Sequence, residues 1–136
     1  YKIKKTVLNF KNKNLGEGKL LSFLKINKIE MICLAGFMKI LSKNFIEKFK
    51  GRILNIHPSL LPKYKGLNTH KRVLKNKDKY SGCTVHFVNS RLDSGKIILQ
   101  KKVKISKKET MNSLAKKILA QEHKLYPKAI LKIFNL

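Results

Sequence analysis

The 136-residue sequence lacks long apolar runs, internal repeats and low-complexity segments, and it holds only two cysteines. Without an apolar stretch of about 18 residues, we expect no membrane-spanning helix and no membrane partner. Cys33 and Cys83 each lie in a short apolar run without CxxC spacing, which argues against the disulfide framework of a secreted domain. We therefore expect two buried thiols in a reducing, cytoplasmic compartment.

Acidic residues and arginines are also scarce. Seven Asp and Glu residues stand against 32 Lys and Arg residues, of which three are Arg, and the net charge is +25. Nucleic-acid surfaces normally use arginine for bidentate contacts, whereas these lysines are scattered from Lys2 to Lys132. We interpret the charge as compositional drift on a solvated surface and expect no specific nucleic-acid partner. A basic nucleic-acid-binding module is the alternative from a different class.

The hydrophobic fraction of 43% is enough to bury the core of a single domain over residues 1–136. The predicted strands cover residues 4–8, 31–36, 52–56, 84–88 and 96–105, and the predicted helices cover residues 18–29, 42–49, 69–77 and a long segment after Thr110. The continuous apolar run at 31–36 is typical of a strand buried on both faces. This order predicts an α/β fold with a mostly parallel sheet and an antiparallel pair near its C-terminal end.

An Asn-x-His pattern ends one of the predicted strands. Asn55 and His57 are two residues apart, so their side chains project to the same side of the strand, and open α/β sheets bind ligands at this end of their strands. Pro58 keeps His57 extended, which fixes the direction of its imidazole. An amide donor beside an imidazole suits oxyanion stabilisation during proton transfer. A structural Asn–His pair is the other interpretation of these two residues taken alone.

The sequence around this pair matches a known family. Residues 51–70 read GRILNIHPSLLPKYKGLNTH, and the segments LAGFMKIL, TVHFV, RLDSG, LDSGKIILQ and QEHKLYP occur around them between residues 34 and 127. With these motifs the chain resembles the glycinamide ribonucleotide formyltransferases of purine synthesis, which use 10-formyltetrahydrofolate. The resemblance implies a Rossmann-like formyltransferase domain whose ligands are glycinamide ribonucleotide and folate.

The wider formyltransferase group shares the Asn-x-His, SLLP and LD-x-G motifs. It includes methionyl-tRNA formyltransferase and formyltetrahydrofolate deformylase. The HPS that follows the strand, the KYKGLNTH segment and the QEH near the end favour the purine enzyme. Another enzyme that uses 10-formyltetrahydrofolate stays the alternative within this class.

The resemblance implies a role for each member of a predicted catalytic set. Asn55 would hydrogen-bond the formyl oxygen and the oxyanion that forms from it. His57 would stabilise that oxyanion as an imidazolium and act as general acid toward the departing folate nitrogen. Asp93 would hold His57 and an ordered water, although a turn-capping role in LDSG is the other interpretation of this residue.

The resemblance also implies binding residues. The implied folate contacts are Met38, Lys39, Ile40, Leu41, Asn55, Asn89 and Leu92, and the implied ribonucleotide contacts are Gln121 and Glu122. His70, His86 and His123 lack the ligand spacing of a zinc site, so we expect no metal and assign them structural roles. The Leu61–Pro62 bond is expected to be the cis peptide of the family's active-site loop.

The resemblance has one gap near the start of the chain. Members of the family begin with a strand and a Gly-rich loop that leads into a helix, whose N–H groups hold the substrate phosphate. The glycine cluster of this sequence, Gly16-Glu17-Gly18, lies in the wrong place for that loop. We therefore expect an N-terminally truncated domain that lacks the first strand, loop and helix. We also expect a monomer or a weak homodimer.

Overall fold

The computed structural model describes residues 5–135, which form four strands and four helices. The strands are β1 (Met31–Leu34), β2 (Arg52–His57), β3 (Tyr80–Phe87) and β4 (Ile97–Lys104), and the helices are α1 (Lys13–Ile26), α2 (Lys43–Lys48), α3 (Thr69–Lys75) and α4 (Met111–Phe134). Helices alternate with strands except between β3 and β4, as the apolar patterns predict. Within the described range, no helix is both long enough and apolar enough to cross a membrane.

Two predicted elements differ from the structure on the N-terminal side. α1 begins earlier than predicted, because the Asn12 side chain caps it by accepting a hydrogen bond from the Leu15 N–H at 3.1 Å. Residues 5–8 are irregular, so the strand predicted there is wrong over these residues, while residue 4 lies outside the described range. Val7 is 97% exposed, and a β-branched residue favours a strand only where neighbours pack against it.

The strands form one sheet in the order β1-β2-β3-β4. β1 and β2 are parallel, whereas β3 is antiparallel to both β2 and β4. Three strands therefore run in one direction and β3 runs against them, which confirms the α/β class and the antiparallel pair near the C-terminal end. Parallel pairing is confined to β1 and β2 in the described part of the chain, because the segment after β2 leaves and re-enters the sheet at the same end.

Side-chain caps set the start of the second and fourth helices, which begin close to the predicted positions. The Ser42 hydroxyl accepts a hydrogen bond from the Phe45 N–H at 3.0 Å and so begins α2. Thr110 and Ser113 each accept a hydrogen bond from the other's backbone N–H, which forms a capping box at the start of α4. These caps fix where the loop before α2 ends and which residues of α4 reach the sheet.

The core consists of two apolar clusters. The larger one packs α4 against β3 and β4 and includes Val85, Leu114 and Ile118. The other packs α1 and α2 against β2 and includes Phe45 and Ile53. The buried face of α4 packs against the sheet. The residues of α4 beside that face therefore lie near the end of the sheet.

β1 is less buried than its apolar sequence predicts. Its residues are half-buried or exposed, and Cys33 is exposed. β1 is an edge strand of the sheet in the described part of the chain and pairs with β2 alone, so fewer neighbours pack against it. The predictions of a strand buried on both faces and of a buried Cys33 are therefore wrong, while Cys83 is fully buried as predicted.

Candidate active site

An open cavity of about 1100 Å³ lies at the end of the sheet where β1 and β2 finish. Ten of the predicted site residues line it: Met38, Lys39, Ile40, Leu41, Asn55, His57, Asn89, Leu92, Asp93 and Glu122. Gln121 is half-buried on α4 but is not among the lining residues, because consecutive helical residues point about 100° apart. The fold thus gathers the loop after β1, the end of β2, the loop after β3 and one face of α4 around a single space.

The imidazole of His57 lies between two oxygen acceptors. Its Nε2 is 2.8 Å from the Tyr64 carbonyl oxygen, and its Nδ1 is 3.4 Å from Asp93 Oδ2. A carbonyl oxygen can only accept, so Nε2 carries a hydrogen and donates it to Tyr64. The side chains of His57 and Asp93 are 8% and 9% exposed, so the contact between His57 Nδ1 and Asp93 Oδ2 is buried.

Asp93 joins two loops rather than capping its own turn. Its Oδ2 accepts a hydrogen bond from the Gly66 N–H at 2.8 Å, and its Oδ1 lies 3.7 Å from His86 Nε2. Its backbone φ is +43°, a region that aspartate tolerates better than most residues. This carboxylate therefore faces both imidazoles and fixes the loop after β2 against the loop after β3. The Leu61–Pro62 bond in the first of these loops is cis, as predicted.

His86 lies directly opposite Asn55 in the β2–β3 register. Its Nε2 is 3.3 Å from Asn55 Nδ2, and its Nδ1 is 2.8 Å from the Phe87 carbonyl oxygen. Burial lowers the pKa of His86, against opposing effects of the Phe87 hydrogen bond and the Asp93 charge. His86 is buried on β3 and contacts the side chain of Asn55 across the strand pair.

The loop at 36–41, which forms one cavity wall, is anchored by a residue that the sequence did not reveal. Glu17 on α1 is 4% exposed, and its carboxylate accepts hydrogen bonds from the N–H and the hydroxyl of Ser42. A single Glu on a Lys-rich helix looks like a surface residue in the sequence. No local pattern of α1 shows that it reaches the capping residue of α2.

Tyr126 is a second residue whose position the sequence did not reveal, although it belongs to the QEHKLYP motif. Its hydroxyl lies 2.9 Å from the Leu34 carbonyl oxygen and 3.2 Å from the Leu54 carbonyl oxygen. Burial raises the pKa of Tyr126 well above its ordinary value. The neutral hydroxyl thereby ties α4 to the ends of β1 and β2, beside the cavity.

The mouth of the cavity combines apolar side chains with lysines. Met38 is 79% exposed, Ile40 58% and Leu92 48%, which leaves apolar surface open around the cavity. Next to it is a smaller cavity of about 370 Å³, whose lining includes Lys13 and Lys39. Apolar walls beside a few directed polar groups are typical of small-molecule sites.

Three further titratable residues, His70, Glu122 and His123, line the cavity. Burial raises the pKa of Glu122, an effect that the nearby His123 opposes, and burial lowers the pKa of His70. The Nδ1 atom of His70 is buried without a hydrogen-bond partner in the described part of the chain. Residues 5–135 bring no three His, Cys, Asp or Glu side chains together in a way that could hold a metal ion.

The sheet, and a cavity at the carboxyl end of its two parallel strands, define an open-sheet α/β domain with an amide, an imidazole and a carboxylate on one wall. The family model described as formyl transferase matches residues 2–130. The chain therefore belongs to the formyl transferase family.

Individual relatives agree with this family. Phosphoribosylglycinamide formyltransferase of Haemophilus influenzae is 43% identical over 122 residues, covering 90% of this chain and 58% of that protein. The trifunctional purine biosynthetic protein adenosine-3 of Chironomus tentans is 52% identical over 104 residues, covering 76% of this chain and 8% of that protein. The crystal structure of phosphoribosylglycinamide formyltransferase from Anaplasma phagocytophilum superposes with a TM-score of 0.89 at 42% identity, covering 96% of this chain and 63% of that one. The chain thus spans less than two thirds of each of these relatives.

Proposed function

We propose that the protein transfers the formyl group of 10-formyltetrahydrofolate to the amino group of glycinamide ribonucleotide, a step of purine synthesis. The observation that carries the proposal is the convergence of Asn55, His57 and Asp93 on one wall of the cavity. The relatives support the choice of acceptor, since they include phosphoribosylglycinamide formyltransferases.

In the proposed reaction, the amine of the ribonucleotide attacks the formyl carbon, and negative charge develops on the formyl oxygen. The Nδ2 of Asn55 donates a hydrogen bond to that oxygen, which stabilises the tetrahedral intermediate. When the intermediate collapses, the bond between the formyl carbon and the folate nitrogen breaks. The attacking nitrogen loses one proton and the folate nitrogen gains one, so the formylated ribonucleotide and tetrahydrofolate form without any further reactant.

We assign the proton transfers to the Nδ1 side of His57. The Nε2 side is bonded to the Tyr64 carbonyl oxygen at 2.8 Å, whereas Nδ1 and Asp93 Oδ2 are 3.4 Å apart. A separation of 3.4 Å is long for a hydrogen bond, so a water or a ligand atom can exchange with this contact. The Asp93 carboxylate then stabilises the charged imidazolium while a proton moves toward the folate nitrogen.

The apolar composition of the cavity wall at 36–41 supports the proposal that folate binds there. Met38, Ile40 and Leu92 offer apolar surface to a flat heterocycle, and Leu41 and Asn89 line the same space. A folate also carries a carboxylate tail, and Lys13 and Lys39 line the adjoining smaller cavity. We therefore propose that the pterin binds against the loop at 36–41 and that the tail extends toward these lysines.

Glu122 is the proposed contact for the ribonucleotide. It lines the cavity, and burial raises the pKa of its carboxyl group. Ribose hydroxyls would donate hydrogen bonds to this carboxylate and compensate for its lost solvation, and Gln121 beside it would contact the same ligand. The net charge of +25 would also attract both anionic ligands from a distance.

The proposal extends to the protein's setting. We propose a cytoplasmic protein that is a monomer or a weak homodimer, with neither a specific nucleic acid nor a membrane among its partners. The free thiols of Cys33 and Cys83 are compatible with a reducing compartment.

An acceptor panel tests the proposed function. The protein is incubated with 10-formyltetrahydrofolate and either glycinamide ribonucleotide, methionyl-tRNA or no acceptor, and tetrahydrofolate release is followed by absorbance. We expect release that depends on the ribonucleotide. Formylation of methionyl-tRNA alone, or acceptor-independent hydrolysis alone, would instead assign the chain to another enzyme of the formyltetrahydrofolate group.

A further inference from the structure

The contact between Asn55 and His86 across the strand pair determines the orientation of the Asn55 side-chain amide. Asn55 Nδ2 and His86 Nε2 are 3.3 Å apart, and His86 Nδ1 is 2.8 Å from the Phe87 carbonyl oxygen. Because the carbonyl oxygen can only accept, Nδ1 carries the hydrogen of a neutral ring. Nε2 is then an acceptor, and it must face a donor.

We infer that His86 is a positioning residue that holds the Asn55 amide with its nitrogen toward the reacting formyl oxygen. This inference rests on the proposed function. One N–H of the Asn55 amide donates to His86 Nε2, and the second N–H of the same nitrogen is free to donate into the cavity that Asn55 lines. With the amide flipped, its oxygen would face the lone pair of Nε2, and an acceptor would replace the donor that an oxyanion needs.

Burial of His86 favours the neutral ring on which this arrangement depends. Burial, with the charges of His57 and Lys65, lowers the pKa of His86, while the Phe87 hydrogen bond and the Asp93 charge raise it, and the net direction is downward. Asp93 Oδ1 lies 3.7 Å from Nε2, which is beyond hydrogen-bond distance. In a doubly protonated ring, Nε2 would carry a hydrogen and interact with the Asp93 carboxylate. The Asn55 amide would then lose its hydrogen-bond acceptor.

The tautomer of His86 can be measured directly on the chain. Long-range ¹H–¹⁵N NMR of the ¹⁵N-labelled protein at neutral pH distinguishes the two neutral tautomers from the imidazolium, and the His86→Gln variant identifies the signals by their loss. We expect a neutral ring protonated on Nδ1. A ring protonated on Nε2, or on both nitrogens, would overturn the inference without any need for catalytic activity.

Turnover tests the consequence of this arrangement for catalysis. His86→Leu removes the acceptor, and we expect kcat to fall at least about tenfold, as part of the effect of losing an oxyanion donor, with little change in KM for the folate. His86→Gln places a carbonyl oxygen near the Nε2 position, so it should recover part of kcat. A merely structural role would not be restored by an acceptor in this way.

A double-mutant cycle separates this inference from the proposed function. If His86 acts through Asn55, His86→Leu should cost little further turnover in an Asn55→Ala background. An equal loss in both backgrounds would overturn the positioning role while leaving the proposed function intact. A wild-type protein with no ribonucleotide-dependent turnover would instead overturn the proposed function, and the tautomer measurement would still decide the Asn55–His86 arrangement.

Discussion

The carboxylate of Glu17 accepts two hydrogen bonds from Ser42, one from its N–H at 2.8 Å and one from its hydroxyl. Ser42 caps α2 and directly follows Leu41, the last residue of the loop that forms the proposed pterin wall. The pair therefore connects α1 to the loop at 36–41 and to the start of α2. These two hydrogen bonds contribute both to the stability of the domain and to the shape of the cavity.

Glu17→Ala should lower both stability and folate affinity. It leaves the N–H and hydroxyl of Ser42 without their acceptor, so we expect a loss of about 1–3 kcal/mol in the free energy of unfolding. Folate binding should weaken more than ribonucleotide binding, because the loop at 36–41 forms the proposed pterin wall. Urea unfolding and calorimetric titration of each ligand measure the two effects.

Glu47→Ala is the control, since Glu47 forms an exposed ion pair with Lys43 at 3.7 Å and should change stability by no more than about 0.5 kcal/mol. Equal stabilities of the two variants would contradict the anchoring role of Glu17.

His57→Ala and Asp93→Asn should each lower turnover by about 10² or more, since proton transfer by a positioned group contributes about 10²–10⁴. Asp93→Asn keeps the shape of the side chain but removes the charge that faces His57 and His86. Steady-state kinetics with both ligands saturating measure the effect. The matched control is Asp78→Asn, which removes a carboxylate that pairs with Lys63 and Tyr64 outside the cavity lining. Near-normal turnover of either His57→Ala or Asp93→Asn would remove that residue from the proposed mechanism.

Much of the fold follows from local patterns that depend on neighbouring residues only. Ser42 and Thr110 begin helices because their side chains bond N–H groups three residues away, which the sequence displays directly. Asn55 and His57 project together because alternate residues of a strand share a side. The positions of these elements and of the Asn55–His57 pair were therefore predictable.

Features that depend on distant contacts were not predictable from local patterns. Glu17 is buried where its carboxylate meets Ser42, and Cys33 is exposed on β1, an edge strand in the described part of the chain. The Asn55–His86 contact depends on the antiparallel register between β2 and β3. The family motifs indicated that Asp93 belongs near His57, but its contact with Gly66 required the two loops to be placed in space.

The two cysteines should differ in reactivity. Burial raises the pKa of the Cys83 thiol to about 12, and Cys83 is fully buried. Partial burial also raises the pKa of Cys33, but its hydrogen bond with Tyr126 opposes that effect, and Cys33 is exposed. Because the thiolate is the reactive form, we expect a thiol reagent to modify Cys33 first in the native protein and both cysteines after denaturation. Cys33→Ser should abolish the faster phase and Cys83→Ser should retain it, whereas the opposite pattern would contradict the exposed position of β1.

Glu109, in the turn before α4, should make the stability of the fold depend on pH. Hydrogen bonds from Lys117, Ser113 and Ser106 lower the pKa of Glu109 to about 2 from its ordinary value of 4.5. A carboxyl group whose pKa is lower in the folded chain stabilises the fold at pH values above its unfolded pKa, and this contribution is lost as the pH falls through the folded pKa. We therefore expect the free energy of unfolding of the wild type to exceed that of Glu109→Gln near neutral pH, and the difference to shrink from about pH 4.5 toward pH 2.

Urea unfolding at successive pH values measures this difference, with the exposed Glu47→Gln as the matched control. A difference that stays constant over this range would show that Glu109 acts through the shape of its side chain rather than through its charge.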